Sequence, residues 1–492
     1  MNITFLNLAA QSPTLELNYS LSEKIHRDNN MHHKFFMCDS ALLSCSVNID
    51  NKTSICRICK YKAQKGFKAF KERNENATLI KIKRKDILKN QCEVSQKTQD
   101  ELQLGVDSTI ASHLRLDDMS VLNKRWKKRR SNLYKSALGQ YGYFSDFFKE
   151  NQVSNFIFFN GRLSCSRPLI TASKKFNVNY YLFDAFINGK TPMYSKNQMF
   201  HSIEFEKNSS IKTYLENFKE SRSLASEYMH KKQNRINLNH DRTYTAHQEE
   251  GYINDEINIL NKNIISIFTS SDDEYRFIGI DWLDYGIVDQ IESIKELSKN
   301  LKNEYSLVVK MHPNQVNMHE SVINKYKDLS KHVLVIKPDD KTDTYELIKK
   351  SSIIINFCSS IGIEANYLRK PVVQIGASRT MKLPSVNYVK SSNEAIKMIK
   401  NKTYKLMPIR SSIIYFTYLM KSRVDLDAYK YIRDGEVTYA GVSIIAPFIL
   451  RLFAIPTKAI FILEKGHFKF IFKNIRLHIS NLIFGINQAQ GN

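Results

Sequence analysis

The sequence of 492 residues lacks any run of about 18 uninterrupted apolar residues, so it predicts no membrane-spanning helix. The most apolar stretch, Ala440–Leu463, is interrupted by Arg451, Pro456 and Lys458. The N-terminal segment has neither a basic start nor a long apolar core, which are the marks of a secretory signal peptide. These absences predict a cytoplasmic protein, with peripheral attachment to the inner face of the cell membrane as an open alternative.

Cysteine, glycine and proline are all scarce, with 7, 16 and 10 residues respectively. An odd, small number of cysteines in a reducing compartment argues against a disulfide framework. The low glycine and proline content, together with 42% apolar residues, predicts a globular protein and excludes a disordered one. The length predicts more than one domain, because a single hydrophobic core rarely extends over so many residues.

Four cysteines lie close together in the chain, in the spacing C-x6-C-x10-C-x2-C: Cys38, Cys45, Cys56 and Cys59. Thiolates in such a cluster are candidate ligands of a structural zinc ion. The first spacing is not that of a standard zinc knuckle, and small buried cysteines in an α/β domain are the alternative. The sequence leaves both interpretations open.

Positive charge is in excess, because 73 Lys and Arg residues stand against 49 Asp and Glu residues, a difference of 24. Such a field favours anionic partners, namely nucleotide phosphates, acidic glycans, anionic lipid or nucleic acid. The densest run, Lys124–Arg130 (KRWKKRR), predicts either a polyanion-binding surface or an ordinary solvated helix face. No nucleic-acid-binding signature accompanies it, so nucleic acid is an unfavoured partner.

Short β-rich apolar runs alternate with helical patterns between residues 263 and 376, which predicts a parallel, doubly wound sheet. Strands are predicted at Ile264–Thr269, Tyr305–Met311, His332–Ile336, Ile353–Phe357 and Pro371–Ile375. Helices are predicted at Tyr285–Asn303, Val316–Ser330, Thr344–Lys350 and Ile361–Leu368.

The N-terminal half predicts a second, less regular α/β unit, with strands at Ile3–Leu6, Lys34–Met37, Leu79–Ile82, Asn155–Phe159 and Asn179–Phe183. The domain boundaries that follow are 1–235 for this unit, 236–262 for a polar linker, 263–410 for the second unit and 411–492 for a helical tail. The tail is apolar and basic from residue 440 onward. It predicts either a helix on an anionic membrane surface or a helix that returns to the N-terminal domain.

Three polar clusters follow predicted strands, and ligands of open α/β sheets bind at the carboxyl ends of strands. The first is Thr269–Glu274, where Ser270, Ser271, Asp272 and Glu274 could bind an acceptor sugar or act as a base; a helix-capping turn is the alternative.

The second cluster is Lys310–Asn314, in which Pro313 keeps His312 extended. A histidine there can donate a hydrogen bond to a phosphate or protonate a leaving group, and Lys310 adds positive charge. An ordinary strand-end histidine is the alternative interpretation.

The third cluster is Cys358–Glu364. The hydroxyls of Ser359 and Ser360 and the backbone at a helix start can bind an anion, and Gly362 would let a ligand approach. Glu364 either holds a sugar hydroxyl or balances the helix dipole.

The order of these motifs resembles the capsule polysaccharide biosynthesis family of GT-B-type proteins. The resemblance is carried by VVKMHPN and TYELIKKSSIIINFCSSIGIEANYLRKPVVQIG, with FTSSDDEY and FFNGRLSCSRPLITAS upstream. Similar His-Pro and Ser-Ser pairs occur in bacterial sialyl- and Kdo-transferases and in CDP-glycerol-type polymerases, which use cytidine-nucleotide donors. The resemblance to the capsule polysaccharide biosynthesis family is strong over residues 263–380, patchy over 1–190 and absent from the tail.

The resemblance implies two Rossmann-like domains facing a cleft and a nucleotide-sugar donor, with a CMP-linked sugar as one candidate. His312 would then contact the donor phosphate, with Lys310 and Asn314 beside it. Ser359 and Ser360 would bind the same phosphate and Glu364 the donor hydroxyls. The residues facing the cleft from the N-terminal domain would be Asn160, Gly161 and Arg162; a surface ion pair is the alternative for Arg162.

The catalytic base is the point at which the sequence departs from the related transferases. Their acidic-acidic-Gly motif is matched only by Glu249–Gly251, in the predicted linker, where a solvated charge run is the better interpretation. Asp184, at the end of a predicted strand, is a better-placed candidate, and Asp272 and Glu274 are others. The scheme requires no cofactor or metal.

The function predicted on these grounds is transfer of a sugar from a nucleotide-activated donor to a glycan or lipid-linked glycan acceptor in capsule or surface-polysaccharide synthesis. Three alternatives remain: a CDP-alditol phosphotransferase, a sugar-nucleotide epimerase, and a non-catalytic scaffold of polysaccharide synthesis or export.

Overall fold

The computed structural model of the protein describes residues 1–455, apart from 10, 12, 30, 90–92, 187–190, 237, 239–243, 261–262, 423 and 434–435. The described residues form two compact units. The first consists of residues 1–114, 118–200 and 424–455, and the second of residues 115–117 and 201–422.

The first unit contains a six-stranded sheet in the order β3-β2-β1-β4-β5-β6. The strands β1 to β5 pair in parallel, and β6 is antiparallel to β5. This is the Rossmann-like order, with its switch point between β1 and β4. The strands are β1 (Asn2–Leu6), β2 (His33–Cys38), β3 (Ala77–Ile82), β4 (Asn155–Phe159), β5 (Asn179–Phe186) and β6 (Thr191–Lys196). The helices are α1 (Thr14–Asn29), α2 (Thr53–Arg73), α3 (Arg84–Lys89), α4 (Gln96–Leu114), α5 (Lys124–Glu150) and α6 (Arg167–Lys175).

The second unit contains a parallel six-stranded sheet in the order β12-β11-β10-β7-β8-β9, which is again Rossmann-like, with its switch point between β7 and β10. The strands are β7 (Asn263–Phe268), β8 (Tyr305–Lys310), β9 (Leu334–Ile336), β10 (Ser351–Asn356), β11 (Val372–Ile375) and β12 (Asn387–Val389). The helices are α7 (Ile203–Glu216), α8 (Ser221–Gln233), α9 (Asp255–Asn258), α10 (Asp272–Tyr275), α11 (Ile280–Leu283), α12 (Gln290–Leu301), α13 (Glu320–Leu329), α14 (Thr344–Lys350), α15 (Ile361–Tyr367), α16 (Ser392–Lys400) and α17 (Ile409–Lys421).

The core of the second unit explains why its central strands read as nearly continuous runs of isoleucine and valine. Helices cover both faces of a parallel sheet, so neither face of a central strand meets water. Ile265, Ile267, Val309 and Ile355 are fully buried in one hydrophobic cluster with helix α12. Asp289 caps the start of that helix, and its carboxylate accepts a hydrogen bond from the backbone N–H of Glu292.

The α/β prediction of two Rossmann-like sheets is confirmed. All ten predicted strands exist, with ends displaced by a few residues, and Asn155–Phe159 matches its strand in full. The sequence did not predict β6 or β12. Strand β6 carries a proline at its second position, which the antiparallel edge of a sheet tolerates.

The predicted linker, 236–262, belongs to the second unit wherever it is described. Gln248 Oε1 accepts a hydrogen bond from the backbone N–H of Thr344 at 3.0 Å, and the backbone N–H of Gly251 donates to Asp343 at 3.0 Å. The polar composition of the segment therefore reflects contacts with the start of α14. The main segment of the unit begins at residue 201, before the predicted boundary, because α7 and α8 pack on α17. Tyr228, for example, stacks on Phe416 with ring centroids 4.3 Å apart.

The predicted helical tail, 411–492, is helical only in part. Helix α17 belongs to the second unit, and residues 424–455 belong to the first. They form an antiparallel pair, β13 (Tyr429–Arg433) and β14 (Glu436–Tyr439), and a short helix, α18 (Phe448–Leu452). The predicted amphipathic tail beyond residue 455 lies outside the described residues. Every helix in the described part of the chain is too short or too polar to span a bilayer.

Candidate functional site

A pocket lies at the carboxyl edge of the second sheet, where β7, β8 and β10 end. Its volume is about 570 Å³, which includes open solvent at its mouth. This edge contains the switch point of the sheet, the position at which open α/β folds bind ligands. The lining residues are Lys232, Tyr244, Thr245, Phe268, Thr269, Lys310, Met311, His312, Pro313, Thr344, Tyr345, Ser359, Ser360, Ile361 and Glu364. The structure therefore brings together one or more members of each of the three predicted polar clusters.

His312 caps the 3₁₀ turn Pro313–Asn317 that follows β8. Its Nδ1 accepts a hydrogen bond from the backbone N–H of Asn314 at 3.1 Å. The neutral ring therefore carries its proton on Nε2, since an accepting nitrogen has none. The backbone N–H of His312 donates to Gln315 at 2.8 Å and to Thr269 at 3.2 Å, which fixes the ring at the end of the strand.

Lys310 ends β8 and is 3% exposed, although it lines the pocket. Its ammonium donates to the backbone carbonyl of Thr342 at 3.0 Å, its one hydrogen bond within the described residues. Burial lowers the pKa of Lys310 to about 8, although Asp340 and Asp343 oppose this shift. An ammonium has three donors, so Lys310 has donor capacity left for a ligand oxygen.

Glu364 is held in place from two sides in the wall of the pocket. Tyr345 donates its phenolic O–H to Oε2 at 2.8 Å, and Ser360 donates its hydroxyl to Oε1 at 3.0 Å. The hydroxyl of Ser359 accepts from the backbone N–H of Ile361 at 3.3 Å. The result is a carboxylate of fixed orientation beside two hydroxyls, an arrangement that can accept hydrogen bonds from sugar or ribose hydroxyls.

The residues after β7 connect neighbouring loops. Ser270 exchanges backbone hydrogen bonds with the side-chain amide of Gln290, at 2.9 and 3.0 Å, and its hydroxyl accepts from the backbone N–H of Cys358 at 3.1 Å. Ser271 is buried, and its hydroxyl has no hydrogen-bond partner among the described residues. Neither serine lines the pocket, so the direct substrate contacts predicted for them gain no support.

Asp272 and Glu274, two predicted bases, also lie outside the pocket lining. Asp272 accepts hydrogen bonds from Tyr275 and from Gln290, and burial raises its pKa to about 6. Glu274 is exposed and accepts from the side-chain amide of Asn314 at 2.6 Å. Asn314, a predicted substrate contact, thus connects two loops of the same unit.

Gly362 has a packing role that the sequence did not indicate. A Cβ at this position would lie 2.7 Å from the side-chain nitrogen of Asn356. That nitrogen donates to the backbone carbonyl of Ser359 at 2.9 Å and to Gln374 at 2.6 Å. The glycine therefore makes room for the hydrogen bonds that shape the loop after β10, and the predicted approach of a ligand at this position stays a prediction.

The candidates in the first unit form a local cluster after β4. Asn160 donates to Asp184 at 2.5 Å and accepts from the backbone N–H of Arg162 at 3.1 Å. The guanidinium of Arg162 donates to Ser112 at 3.1 Å. Gly161 has φ +90°, where a side chain would be strained, and an added Cβ would lie 2.6 Å from Ile170.

The four cysteines predicted as zinc ligands line one pocket in the first unit, together with Cys165. Within the described residues, however, no group of three or more His, Cys, Asp or Glu side chains is arranged to hold a metal ion. Burial raises the pKa of the Cys38 and Cys45 thiols, which opposes the thiolate form that zinc requires. The structure therefore gives the zinc interpretation no support. The four side chains are only half-buried, so the alternative of buried cysteines also stays a prediction.

Four residues near this edge were missed by the sequence reasoning. Lys232 and Tyr244 line the pocket from outside the strand-ending motifs, and Tyr345 orients Glu364. Arg379 follows β11, and its guanidinium makes no hydrogen bond or ion pair with a described residue. Burial lowers the pKa of Arg379, but nearby titratable groups, Glu206 and Cys358 among them, raise it above its usual value. Its position after the run PVVQIG could have indicated it, because that strand ends at the same edge of the sheet.

No protein-family model and no curated protein sequence matches the chain. Among solved structures it is similar to the beta-Kdo 2,4-transferase KpsC of Thermosulfurimonas dismutans, with a TM-score of 0.34 and 14% identity over 55% of this chain and 84% of that one. A putative UDP-N-acetylglucosamine 2-epimerase from Listeria monocytogenes gives a TM-score of 0.25 and 10% identity over 88% and 92% of the two chains. The wall teichoic acid polymerase TagF gives 0.21 and 13% over 86% and 83%. At these scores the similarities assign neither a family nor an activity.

Proposed function

We propose that this protein is a glycosyltransferase of bacterial capsule or surface-polysaccharide synthesis. It takes a nucleotide-activated sugar, CMP-linked in the version that the motifs favour, at the carboxyl edge of the second sheet. It transfers the sugar to a glycan or lipid-linked glycan acceptor. The observation that carries this proposal is the convergence of His312, Lys310 and the Ser359–Ser360 pair with Glu364 on one pocket.

The donor groups in this pocket suit a phosphate. The Nε2–H of His312 and the ammonium of Lys310 can donate to phosphate oxygens, and both interactions strengthen as negative charge builds up on the departing nucleotide. Glu364 supplies the opposite chemistry, because its fixed carboxylate accepts hydrogen bonds from the hydroxyls of ribose or sugar. One pocket thus has contacts for both the phosphate and the hydroxyls of a nucleotide donor.

The proposed reaction is substitution at the anomeric carbon. An acceptor hydroxyl attacks that carbon, the bond to the phosphate oxygen breaks, and the nucleotide leaves with the electron pair. The proton of the hydroxyl passes to a general base. Interactions with the leaving phosphate lower the barrier because they are strongest in the transition state.

The test is thermal shift of the purified protein with CMP, CDP, UDP and GDP, followed by a donor screen for transfer. Nucleotide binding should stabilise the wild type, and stabilisation by cytidine nucleotides above the others would support the CMP-linked donor. Absence of stabilisation by all four would contradict the proposal. Formation of a phosphodiester in place of a glycoside would assign the pocket to an alditol-phosphate transferase.

Two substitutions at His312 separate its capping role from its contact with the nucleotide. His312→Asn keeps an acceptor for the backbone N–H of Asn314 but lacks a donor at the Nε2 position, whereas His312→Gln reaches that position. We expect the asparagine variant to fold normally and to lose roughly tenfold or more in nucleotide affinity, and the glutamine variant to keep part of it. His319 is the matched control, because it caps α13 through its Nδ1 and lies outside the pocket lining, so His319→Asn should bind as the wild type does.

A further inference from the structure

The last described segment of the first unit carries a row of exposed apolar side chains. Ile445 is 44% exposed, and Phe448, Ile449, Leu452 and Phe453 are 44%, 60%, 44% and 64% exposed. Single exposed apolar residues are normal on a protein surface, but five within nine positions are a patch. The sequence from 440 to 455 contains no acidic residue.

This segment is fixed to the unit by its opposite face. Ala446 and Ala454 are buried against Ile55 and Ile58 of α2, with Leu450 packed beside them. Ile444, from the same C-terminal segment, packs further along α2 and is fully buried. A Cβ added at Gly66 of α2 would lie 3.0 Å from the side chain of Ile444. The exposed row is therefore held in place on folded structure, along the first half of α2.

The basic run Lys124–Arg130 begins beside the same end of α2. Arg129 forms a bidentate ion pair with Asp50, with N–O distances of 2.8 and 2.6 Å. A guanidinium nitrogen of Arg125 lies 3.7 Å from the same carboxylate. Asp50 precedes α2 by three residues, so this ion pair places the first turns of α5 near the start of α2.

Part of this basic run is engaged within the unit and part is exposed. Arg129 is buried and stacks on Trp126, and Arg130 pairs with Asp107 at 2.6 Å. The side chains left exposed are those of Lys124, Arg125, Lys127 and Lys128, with Arg57 on α2. The two arginine pairs account for two of the six basic residues of the run, and three exposed lysines and Arg125 remain.

We propose that the exposed apolar row of residues 445–453 and the exposed lysines at the start of α5 form one surface that binds an anionic membrane. The apolar side chains enter the interface between headgroups and acyl chains, and the lysines lie against the acidic headgroups. Arg451 lies within the row, and a peripheral position would bring the enzyme to a lipid-linked acceptor.

The combination selects lipid over a soluble polyanion. An acidic glycan or a nucleic acid would use the lysines alone and would leave the five apolar side chains in water. A lipid surface uses both sets, since burial of apolar area and attraction to acidic headgroups act together at a bilayer interface. The net charge of +24 brings the protein to such a surface.

The test is sedimentation of the full-length protein with vesicles of phosphatidylcholine alone and of phosphatidylcholine with about 30% phosphatidylglycerol. Two double variants separate the two sets: Ile449→Ser with Phe453→Ser, and Lys127→Gln with Lys128→Gln. Each basic residue contributes about fivefold near an anionic surface, so the lysine pair should lower partition on the order of 30-fold. The apolar pair should lower it by roughly tenfold or more.

Matched controls come from exposed positions in the second unit. Ile259→Ser removes an apolar side chain that is 75% exposed, and Lys397→Gln with Lys400→Gln removes two exposed lysines from α16. Both should partition as the wild type does. If the lysine pair matters and the apolar pair does not, the surface binds polyanions and the lipid proposal is wrong. If the wild type binds and neither pair changes binding, another part of the chain makes the contact and the proposal is again wrong.

Discussion

Replacement of the buried Lys310 should have opposite effects on the stability of the fold and on nucleotide binding. Its pKa falls from 10.5 to about 8 because of burial, and at about 1.4 kcal/mol per unit this corresponds to roughly 3 kcal/mol against the charged form. Lys310→Met removes that cost and leaves the carbonyl of Thr342 without its hydrogen bond, a loss of about 1 kcal/mol. We therefore expect the free energy of unfolding at neutral pH to rise by about 2 kcal/mol.

The same substitution should weaken nucleotide binding, because a charge-assisted hydrogen bond to phosphate contributes about 1.5–3 kcal/mol, or roughly 10- to 150-fold. Titration calorimetry with CMP and CDP measures this effect. Wild-type affinity should fall as pH rises through 8, since the free protein then loses the proton that the phosphate requires. The variant should not show this dependence.

The difference in stability between Lys310→Met and the wild type should also depend on pH. Below pH 8 Lys310 is charged in both the folded and the unfolded chain, so the wild type carries the full cost. Between pH 8 and 10.5 the unfolded chain binds more protons than the folded one, so wild-type stability rises with pH. The advantage of Lys310→Met over the wild type should therefore shrink across this window in denaturant unfolding.

Lys370 provides the control for this prediction. Burial also lowers its pKa, but it donates to the backbone carbonyl of Ser351, at the start of β10 and the opposite edge of the sheet. Lys370→Met should leave nucleotide affinity unchanged. A Lys310→Met variant that binds nucleotide as the wild type does, with the same pH profile, would refute the role assigned to Lys310.

Two further substitutions test the edge of the sheet. Gly362→Ala should lower the free energy of unfolding by about 1–3 kcal/mol, because the new Cβ must displace Asn356, and thermal melting should show this without added nucleotide; an unchanged melting temperature would contradict the packing role. Arg379→Gln should weaken nucleotide binding by roughly tenfold, and it should also lower the free energy of unfolding, because buried Glu206 loses the positive charge that favours its ionised form. Loss of stability without loss of binding would assign Arg379 to the fold.

The fold was predictable where the sequence pattern is local. Each central strand of the second unit is a short apolar run followed by a helix, so composition and spacing alone predict β7, β8 and β10. The position of the site followed from the same pattern, because the carboxyl ends of parallel strands meet at one edge. His312, Lys310, Ser359, Ser360 and Glu364 all line the pocket there.

The domain boundaries depended on contacts that no local window contains. The residues of α7 and α8 join the second unit through α17, some two hundred positions later; Tyr415 donates to Glu206 at 3.0 Å, and Tyr228 stacks on Phe416. The same reasoning applies to the tail, where the sequence favoured one helical segment. The pairing of β13 with β14 required knowledge of what lies opposite each strand.

Roles within the polar clusters could not be predicted because they depend on which hydrogen-bonding groups the fold already uses. Ser270 and Asn314 were expected to face the substrate, but their side chains connect loops within the unit. Lys310 keeps unused donor capacity at the same edge, and the guanidinium of Arg379 makes no bond with a described residue. A buried polar group costs free energy unless it is paired, so a fold retains an underused one chiefly where a ligand completes the pairing. By this criterion, substitution of Lys310 or Arg379 should weaken nucleotide binding. Substitution of Ser270 or Asn314 should instead lower stability against denaturant.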